Sequence, residues 1–446
     1  MNPSYAMRVA RCLAARAAFF ASWLLVLGVA ACGPAGHDRP AGAPAVALPA
    51  EQARPADSAA AAPEGAHAAI EIVESAPIET SLDHPDIPNA DQVWLEMIRG
   101  AARRLEIAQF YVSNAPDSRL EPILAAIEAA ADRGVAVRFL VEHSFYGRYP
   151  ESVDRLAARR GITVRHFDLA SRMGGILHAK YFLVDGREAY LGSQNFDWRA
   201  LTHIQELGVR VRHPEIARAL GDIFEADWDI AGGADPGARL HAPREATHFP
   251  VRILQRGEPL EVLPIASPKG WLPDESLWDL TRLIAEIDRA RHRVHVQLLT
   301  YKTTARDGSA FRELDDALRR AAGRGVEVRL LAADWSKRPL AIEPLQSLER
   351  EAHIEVKLVT IPPWSKGFIP YARVIHAKYM VIDGRSAWVG TSNWEGDYFT
   401  RSRNVGLWVD GASFASRLDR FFQDGWDGPY ATPVDPEATY PTPKTF

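Results

Sequence analysis

Two eighteen-residue stretches of this chain are near copies of each other, and this duplication constrains the fold more than any other feature of the sequence. They are HAKYFLVDGREAYLGSQN, which begins at His178, and HAKYMVIDGRSAWVGTSN, which begins at His376. The residues that they share lie 198 positions apart throughout. A repeat that keeps its register in this way predicts two homologous halves that build one site.

The shared positions carry chemically useful side chains. The pairs are His178 and His376, Lys180 and Lys378, Asp185 and Asp383, and Asn195 and Asn393. If HAK lies in a strand, the residues at i and i+2 point to the same face, so imidazole and ammonium share that face. The apolar runs YFLV and YMVI that follow favour a buried strand. Two such faces brought together supply two imidazoles, two ammonium groups and two amides.

This set of groups suits a phosphodiester substrate. Lysines and amides can neutralise and orient the non-bridging phosphate oxygens in the transition state. One imidazole attacks phosphorus while the other protonates the leaving oxygen, and the roles reverse when an activated water cleaves the phosphohistidine. Because histidine titrates near neutral pH, the scheme needs no metal ion and no cofactor.

Other positions in the repeat are expected to support the site. Asp185 and Asp383 each begin a DG turn typical of a tight hairpin, which predicts a role in turn and strand geometry. Ser193 and Ser392, in the GSQN and GTSN that end the motifs, are small and polar enough to let phosphate approach. Ordinary turn residues are the alternative for both serines.

The HxKxxxxD motif with its GSQN or GTSN ending resembles that of the phospholipase D superfamily, over nearly all of the chain after about residue 68. Longer stretches resemble the branch that contains the animal endolysosomal single-stranded nucleic-acid 5′-exonucleases and the related poxvirus envelope proteins. These stretches are IEIVES from Ile70, YLGSQNFDWRALTHIQELGV from Tyr190, IFEADW from Ile223, IPYARVIHAKYM from Ile369, GTSNWEGDYF from Gly390 and DGWDGPY near the C terminus. Members of that branch often have a degenerate second motif, whereas Asp383 completes it here.

The halves differ 28 residues after each histidine, where the first has Glu206 and the second has Asn404. In the superfamily, an acidic residue at about this spacing backs the catalytic imidazole, where a carboxylate fixes the tautomer and raises the pKa. Resemblance to most two-repeat members assigns His178 as nucleophile and His376 as general acid and base. Exchange of these roles stays open, and an ordinary strand-end carboxylate is the alternative for Glu206.

The N-terminal segment indicates export. Residues 1–31 contain three arginines followed by an apolar run, and this run leads into VAACG at residues 29–33. The pattern resembles a bacterial lipoprotein signal peptide with Cys32 as the acylated residue. A plain signal peptide is the alternative. Because Pro34 stands where an Asp often retains a lipoprotein at the inner membrane, we expect an outer-membrane anchor facing the periplasm.

The rest of the chain predicts a tether and two α/β domains. Residues 32–68 are rich in Ala, Pro and Gly and lack the bulky apolar residues needed to order themselves. Strand, helix and strand patterns then occur twice, which predicts domains at 69–245 and 246–446. By the resemblance, each is a mixed sheet flanked by helices, and a pseudo-twofold axis relates them. Only Cys12 and Cys32 are present, so no disulfide is expected after processing.

The substrate class is less constrained. The net charge of −5 gives no broad basic footprint for nucleic acid, although an exonuclease needs to hold only a few nucleotides. A 5′-exonuclease acting on single-stranded nucleic acid is favoured by the resemblance, and a phospholipase D or phosphatidyltransferase acting on membrane phospholipids is favoured by the expected anchor. An inactive binding lipoprotein is the third hypothesis, but neither motif has lost its His or Lys.

A few flanking residues are further candidates for contact with substrate. Tyr371, Trp364 and Trp394 either stack a base, receive an acyl chain or pack the domain seam. Gln109 and Gln297 occupy like places in paired strands and are candidates to touch the site.

Overall fold

The computed structural model describes residues 69–241 and 248–446. Its strands are β1 (Ile70–Ser75), β2 (Arg104–Gln109), β3 (Val112–Ser113), β4 (Ala136–Glu142), β5 (Ile162–Phe167), β6 (Tyr181–Val184), β7 (Glu188–Gly192), β8 (Phe196–Asp197), β9 (Glu206–Val211), β10 (Val251–Gln255), β11 (Glu258–Ser267), β12 (Arg293–Leu298), β13 (Glu327–Ala333), β14 (Ile354–Val359), β15 (Tyr379–Ile382), β16 (Ser386–Gly390), β17 (Asn404–Asp410) and β18 (Ala431–Pro433).

The α-helices are α1 (Ala90–Gly100), α2 (Glu121–Asp132), α3 (His143–Tyr146), α4 (Pro150–Ala157), α5 (Ala170–Met173), α6 (Pro214–Ala231), α7 (Pro236–Leu240), α8 (Asp279–Arg289), α9 (Glu313–Gly323), α10 (Ile342–Glu349), α11 (Gly396–Thr400) and α12 (Ala412–Asp427). Short 3₁₀ helices cover Glu275–Leu277 and Asp334–Lys337. The expected signal peptide, the tether, Cys32 and the domain boundary between residues 245 and 246 lie outside the described residues.

Two mixed sheets repeat one topology. The first sheet has the order β1-β9-β7-β6-β2-β4-β5, in which β2, β4 and β5 are parallel and the other pairs are antiparallel. The second sheet repeats this as β11-β17-β16-β15-β12-β13-β14, and adds β10 and β18 at its edges. The fold is therefore α/β, with two homologous mixed sheets flanked by helices, as the sequence predicted.

Three hydrophobic cores hold these layers together. One core packs α1 and α2 against the first sheet, and a second packs α8 and α9 against the second sheet. The third contains buried side chains of both sheets together with those of α6 and α12. The two halves thus share a continuous central core, which fixes the position of one catalytic motif relative to the other.

A pair of backbone bridges crosses between the halves next to the motifs. Leu177 pairs with Arg403, and Ile375 pairs with Gln205, both in the parallel sense. Leu177 matches Ile375, and Gln205 matches Arg403, at the 198-residue spacing. A contact in which i meets j and j′ meets i′ is the signature of a twofold interface.

The prediction that HAK lies within a strand is wrong. The strands begin at the residue after each motif lysine, at Tyr181 and Tyr379. The His178 N–H donates to the Arg403 carbonyl and the His376 N–H to the Gln205 carbonyl, so these backbone groups bridge the halves and do not extend the sheet.

Within residues 69–241 and 248–446, no helix is long and apolar enough to cross a bilayer.

Candidate active site

Each motif histidine is held through Nδ1 by a side chain of the opposite half. His178 Nδ1 lies 3.0 Å from Asn404 Oδ1, and His376 Nδ1 lies 2.7 Å from Glu206 Oε2. Glu206 therefore supports the histidine of the second motif, not the one 28 residues before it. The crossing follows from the fold, because Glu206 and Asn404 directly follow the two residues that bridge to the opposite motif.

The orientation of Asn404 determines which nitrogen of His178 carries the proton. The Nδ2 group of Asn404 donates to the carbonyls of Tyr398, at 2.8 Å, and Ser402, at 3.3 Å. Its Oδ1 must therefore accept from His178, so Nδ1 is the protonated nitrogen and Nε2 keeps its lone pair. His376 Nδ1 and Glu206 Oε2 share a proton across the equivalent contact. Both Nε2 atoms remain available for chemistry.

The two motif lysines are almost wholly buried beside the histidines. The Nζ of Lys180 donates to the His178 carbonyl, and the Nζ of Lys378 donates to the His376 carbonyl. Burial lowers the pKa of Lys378 to about 7 against the attraction of Glu206, and burial together with repulsion from Lys378 lowers the pKa of Lys180. An anionic phosphate between them would supply the charge that a buried ammonium needs.

The same burial shifts the remaining ionisable groups. It lowers the pKa of His178 and of His376, and the nearby lysines add to the effect. Burial raises the pKa of Glu206 to about 8, although Lys378 and Lys180 oppose this. The Glu206–His376 pair therefore keeps at least one titratable proton at neutral pH. The Asn404 amide beside His178 does not titrate and cannot share a proton in this way.

The motif asparagines present unused polar atoms. Asn195 and Asn393 are 6% and 2% exposed. In the part of the chain that the structure describes, the Oδ1 of each is buried without a hydrogen-bond partner. A buried Oδ1 in this state is free to accept a hydrogen bond from a donor group of a ligand.

Ser193 and Ser392 are buried and bonded elsewhere. At the 198-residue spacing Ser193 matches Thr391, and the two hydroxyls accept from the backbone N–H of Leu207 and Val405 at 3.0 and 3.1 Å. Ser392 lies 3.3 Å from the carboxyl of Asp279. The serines therefore attach the motif ends to neighbouring structure and are not a matched pair.

Asp185 and Asp383 hold the turns that follow the motifs. Both adopt a positive φ, 53° and 54°. The Asp185 carboxylate accepts three backbone N–H groups, from residues 102, 103 and 104, and Asp383 accepts the equivalent three, from residues 291, 292 and 293. These contacts are structural, as the DG signal indicated.

The residues predicted from the flanking sequence to contact substrate have different surroundings in the structure. Gln109 Oε1 accepts from the Phe196 N–H at 3.3 Å, and Gln297 Nε2 donates to Gln205 Oε1 at 2.7 Å. Trp394 is fully buried in the core of the second half, so it packs the domain interior. The ring of Tyr371 stacks 6.1 Å from Phe446, and that of Trp364 lies 4.9 Å from His203.

Sequence reasoning missed the aromatic residues that border His178. The ring centroids of Phe110 and Tyr398 lie 5.2 and 4.8 Å from its imidazole. It also missed Asp197, a buried carboxylate that accepts from Tyr111 and Arg199. Asp197 matches Glu395 at the 198-residue spacing, and this repeated acidic position was the available signal. Among the described residues, no group of three or more His, Cys, Asp or Glu side chains is arranged to hold a metal ion.

Comparison with known proteins places this geometry in a family. The sequence-family model described as "Cardiolipin synthase, PLD-like domain" matches residues 94–228 and again residues 283–426. The chain belongs to the phospholipase D superfamily. Each match contains one motif, so the duplicated feature of the sequence is the duplicated family domain.

Both an animal exonuclease and a poxvirus protein, the two kinds of protein in the predicted branch, are similar to this phospholipase D-like chain. A protein of Macaca fascicularis named 5′-3′ exonuclease PLD3 is 35% identical over 400 residues, covering 82% of this chain and 81% of its own. The virion nicking-joining enzyme of vaccinia virus is 32% identical over 379 residues, covering 81% and 88%. The crystal structure of a phosphatidylserine synthase from Haemophilus influenzae has a similar fold, with a TM-score of 0.58, 12% identity and coverage of 82% and 87%. The chain is a phospholipase D-type phosphodiesterase.

Proposed function

We propose that the protein is a metal-independent phosphodiesterase that forms a phosphohistidine intermediate and acts as a 5′-exonuclease on single-stranded nucleic acid. The observation that carries the chemistry is the pair of imidazoles with Nδ1 held and Nε2 available, beside two buried lysines. Lysine ammonium groups and asparagine amides provide the positive charge and hydrogen bonds that a phosphoryl transition state requires, so the scheme assigns no step to a metal.

His178 is the nucleophile in this proposal. Its partner Asn404 is neutral and does not stabilise an imidazolium, so the ring stays neutral with a lone pair on Nε2. The Nε2 atom bonds to phosphorus as the bond from phosphorus to the leaving oxygen breaks. Lys180 and Lys378 balance the charge that collects on the non-bridging oxygens.

His376 is the general acid and then the general base. The carboxyl of Glu206 keeps a proton in the pair, so the His376 imidazolium can protonate the leaving oxygen. The neutral imidazole then takes a proton from water, whose oxygen attacks phosphorus and breaks the bond to Nε2 of His178. This step restores both rings to their starting states.

A trapping experiment tests the two roles. The His376→Ala variant, given a phosphodiester with a p-nitrophenol leaving group, needs no acid for the first step and has no base for the second. We expect one equivalent of p-nitrophenol and a stable phosphoryl group on His178, found by peptide mass spectrometry. The His178→Ala variant should give neither product. A phosphoryl group on His376 in the His178→Ala variant would exchange the roles.

The substrate proposal rests on similarity over most of the chain to proteins named as 5′-3′ exonucleases. The test is incubation of the purified protein with an end-labelled single-stranded oligonucleotide, and separately with phosphatidylglycerol vesicles, in the presence of a chelator. Stepwise release of nucleotides from the 5′ end without lipid turnover is expected. Lipid turnover alone would establish the second candidate, a phospholipase D or phosphatidyltransferase, which the description of the matching family model favours.

We also propose that the protein is exported and anchored through Cys32. The support is the sequence alone, an apolar run that ends in VAACG. Cells that express the protein and are fed radiolabelled palmitate should label the wild type and not the Cys32→Ser variant. Equal labelling of both would exclude the anchor at this residue, and fractionation of the membranes tests the outer-membrane location.

A further inference from the structure

Four aromatic side chains of the first half form a continuous row that begins at the active site. We call Phe110, Tyr111, Phe145 and Tyr149 the aromatic row. Phe110 and Phe145 have ring centroids 4.2 Å apart, Tyr111 and Phe145 are 6.2 Å apart and stacked, and Tyr111 and Tyr149 are 5.2 Å apart. Each ring thus contacts the next.

The inner end of the row touches catalytic groups. The Phe110 ring lies 5.2 Å from the His178 ring, and the Lys180 ammonium lies 5.0 Å from the centroid of Phe110. Phe110 itself is buried, whereas Tyr111, Phe145 and Tyr149 are half-buried. The row therefore leads outward from His178 to a partly exposed surface.

Guanidinium groups accompany the outer rings. Arg148 is exposed and lies 5.3 Å from the ring centroid of Phe145, and Arg199 lies 5.9 Å from that of Tyr149. Arg199 also pairs with Asp197, so Arg148 carries more of the available charge. Aromatic faces alternating with cations match a single strand, in which bases stack and phosphates lie between them.

The second half shows that the fold does not need aromatic side chains at two of these four positions. Gln109 ends β2, and Gln297 is the next-to-last residue of the matching strand β12. The residues that follow are Phe110 and Tyr111 in the first half but Leu298 and Leu299 in the second. Leucines fill the equivalent places in a sheet of the same topology. The aromatic character of the first half is therefore a local addition beside one of two otherwise matched motifs.

We propose that the aromatic row is a stacking site for the bases next to the scissile phosphate, on the His178 side of the cleft. This inference rests on the proposed function, because it assumes a nucleic-acid substrate. The nucleic-acid strand then lies over the first half of the protein, and its orientation is set by the aromatic row, which distinguishes the first half from the second. The site takes any base, since stacking uses the ring face and not its edge.

The test gives the full-length protein two single-stranded oligonucleotides of equal length. One has all its bases, and the other has abasic residues at the first three positions from the 5′ end. The variants are Phe145→Ala and Tyr149→Ala, with Phe368→Ala as control, since Phe368 is 48% exposed and lies outside the row. We expect each row variant to raise KM for the normal strand about 10-fold, with little change for the abasic strand. Tyr149→Phe should keep the wild-type KM.

The outcomes separate this inference from the function on which it rests. If the wild type cleaves both strands, and the row variants raise KM equally for both or for neither, the stacking site is refuted while the nuclease stands. If the wild type turns over phosphatidylglycerol vesicles and neither strand, the proposed function is refuted and the stacking site with it. Thermal unfolding of each variant identifies any loss of fold, and a row variant with a wild-type midpoint and an unchanged KM would also count against the site.

Discussion

The ion pair between Asp227 and Arg403 joins the two halves directly behind the active site, and its removal should destabilise the protein strongly. Arg403 Nε and Nη2 lie 2.7 and 2.9 Å from the two Asp227 oxygens, and both side chains are completely buried. Burial raises the pKa of Asp227 even beside the guanidinium, so desolvation outweighs the attraction. Such a pair contributes to stability mainly because neither buried charge is left without a counterion.

The Asp227→Asn variant keeps the shape of the side chain but leaves a buried cation without its counterion. Breaking a buried pair in this way costs about 3–5 kcal/mol. With an m-value of about 3 kcal/mol/M in urea, the midpoint of unfolding should fall by roughly 1 to 1.7 M. The measurement is urea unfolding followed by tryptophan fluorescence. Activity should also fall, because the Arg403 carbonyl accepts the His178 N–H.

Two further variants make the reasoning refutable. Asp229, on the same helix, pairs with Arg239 at 2.6 Å in a partly exposed position, so Asp229→Asn should cost less than about 1 kcal/mol. The double variant Asp227→Asn with Arg403→Met removes the lone cation and should recover at least half of the lost stability. If Asp227→Asn costs no more than Asp229→Asn, or if the double variant recovers nothing, the argument from buried charge is wrong.

Three other predictions concern proton affinity and packing. Since Glu206 raises the pKa of Lys378, which burial holds at about 7, Glu206→Gln should move the alkaline limb of the kcat/KM pH profile to lower pH; an unmoved limb contradicts this. Although burial opposes them, three N–H groups lower the pKa of Asp185, so its stabilisation is present above the unfolded pKa and is lost as pH falls through the folded value. Asp185→Asn should therefore cost about 1–2 kcal/mol at neutral pH in urea titrations, with the gap closing below about pH 4. A Cβ on Gly192 would lie 2.6 Å from the Cα of Gly208, so Gly192→Ala should lower the thermal midpoint, whereas Gly221→Ala, in α6 with its nearest atom at 3.6 Å, should raise stability by up to about 1 kcal/mol.

The repeated motif made most of the fold and much of the site predictable. A constant spacing implies equivalent strands, and the helix and strand patterns on both sides of each motif gave the mixed sheets. The turns at Asp185 and Asp383 could be predicted from the DG pairs, because each turn is local and needs both a side-chain carboxylate and a positive φ at the same residue. These features are local or are repeated, and the sequence records both kinds of information.

Contacts across the interface could not be predicted in the same way. Spacing placed Glu206 behind a histidine but did not say which one, because the answer depends on how the halves meet. The position of HAK was misjudged for a related reason, since its backbone partners belong to the other half. Phe110 left no repeat signal because its counterpart is Leu298. For Trp394 the sequence left base stacking, acyl-chain binding and packing open, and its burial in the core decides for packing.

The crossed support of the two histidines has a consequence for how such a site can change over time. In a dimer of identical chains, one codon would determine the residue behind both imidazoles, so a substitution that suits an acid would be imposed on the nucleophile as well. Joining the halves in one polypeptide gives Glu206 and Asn404 separate codons. Mutation can then adjust the proton affinity of one ring without altering the other, and two inherited copies of one motif are free to specialise.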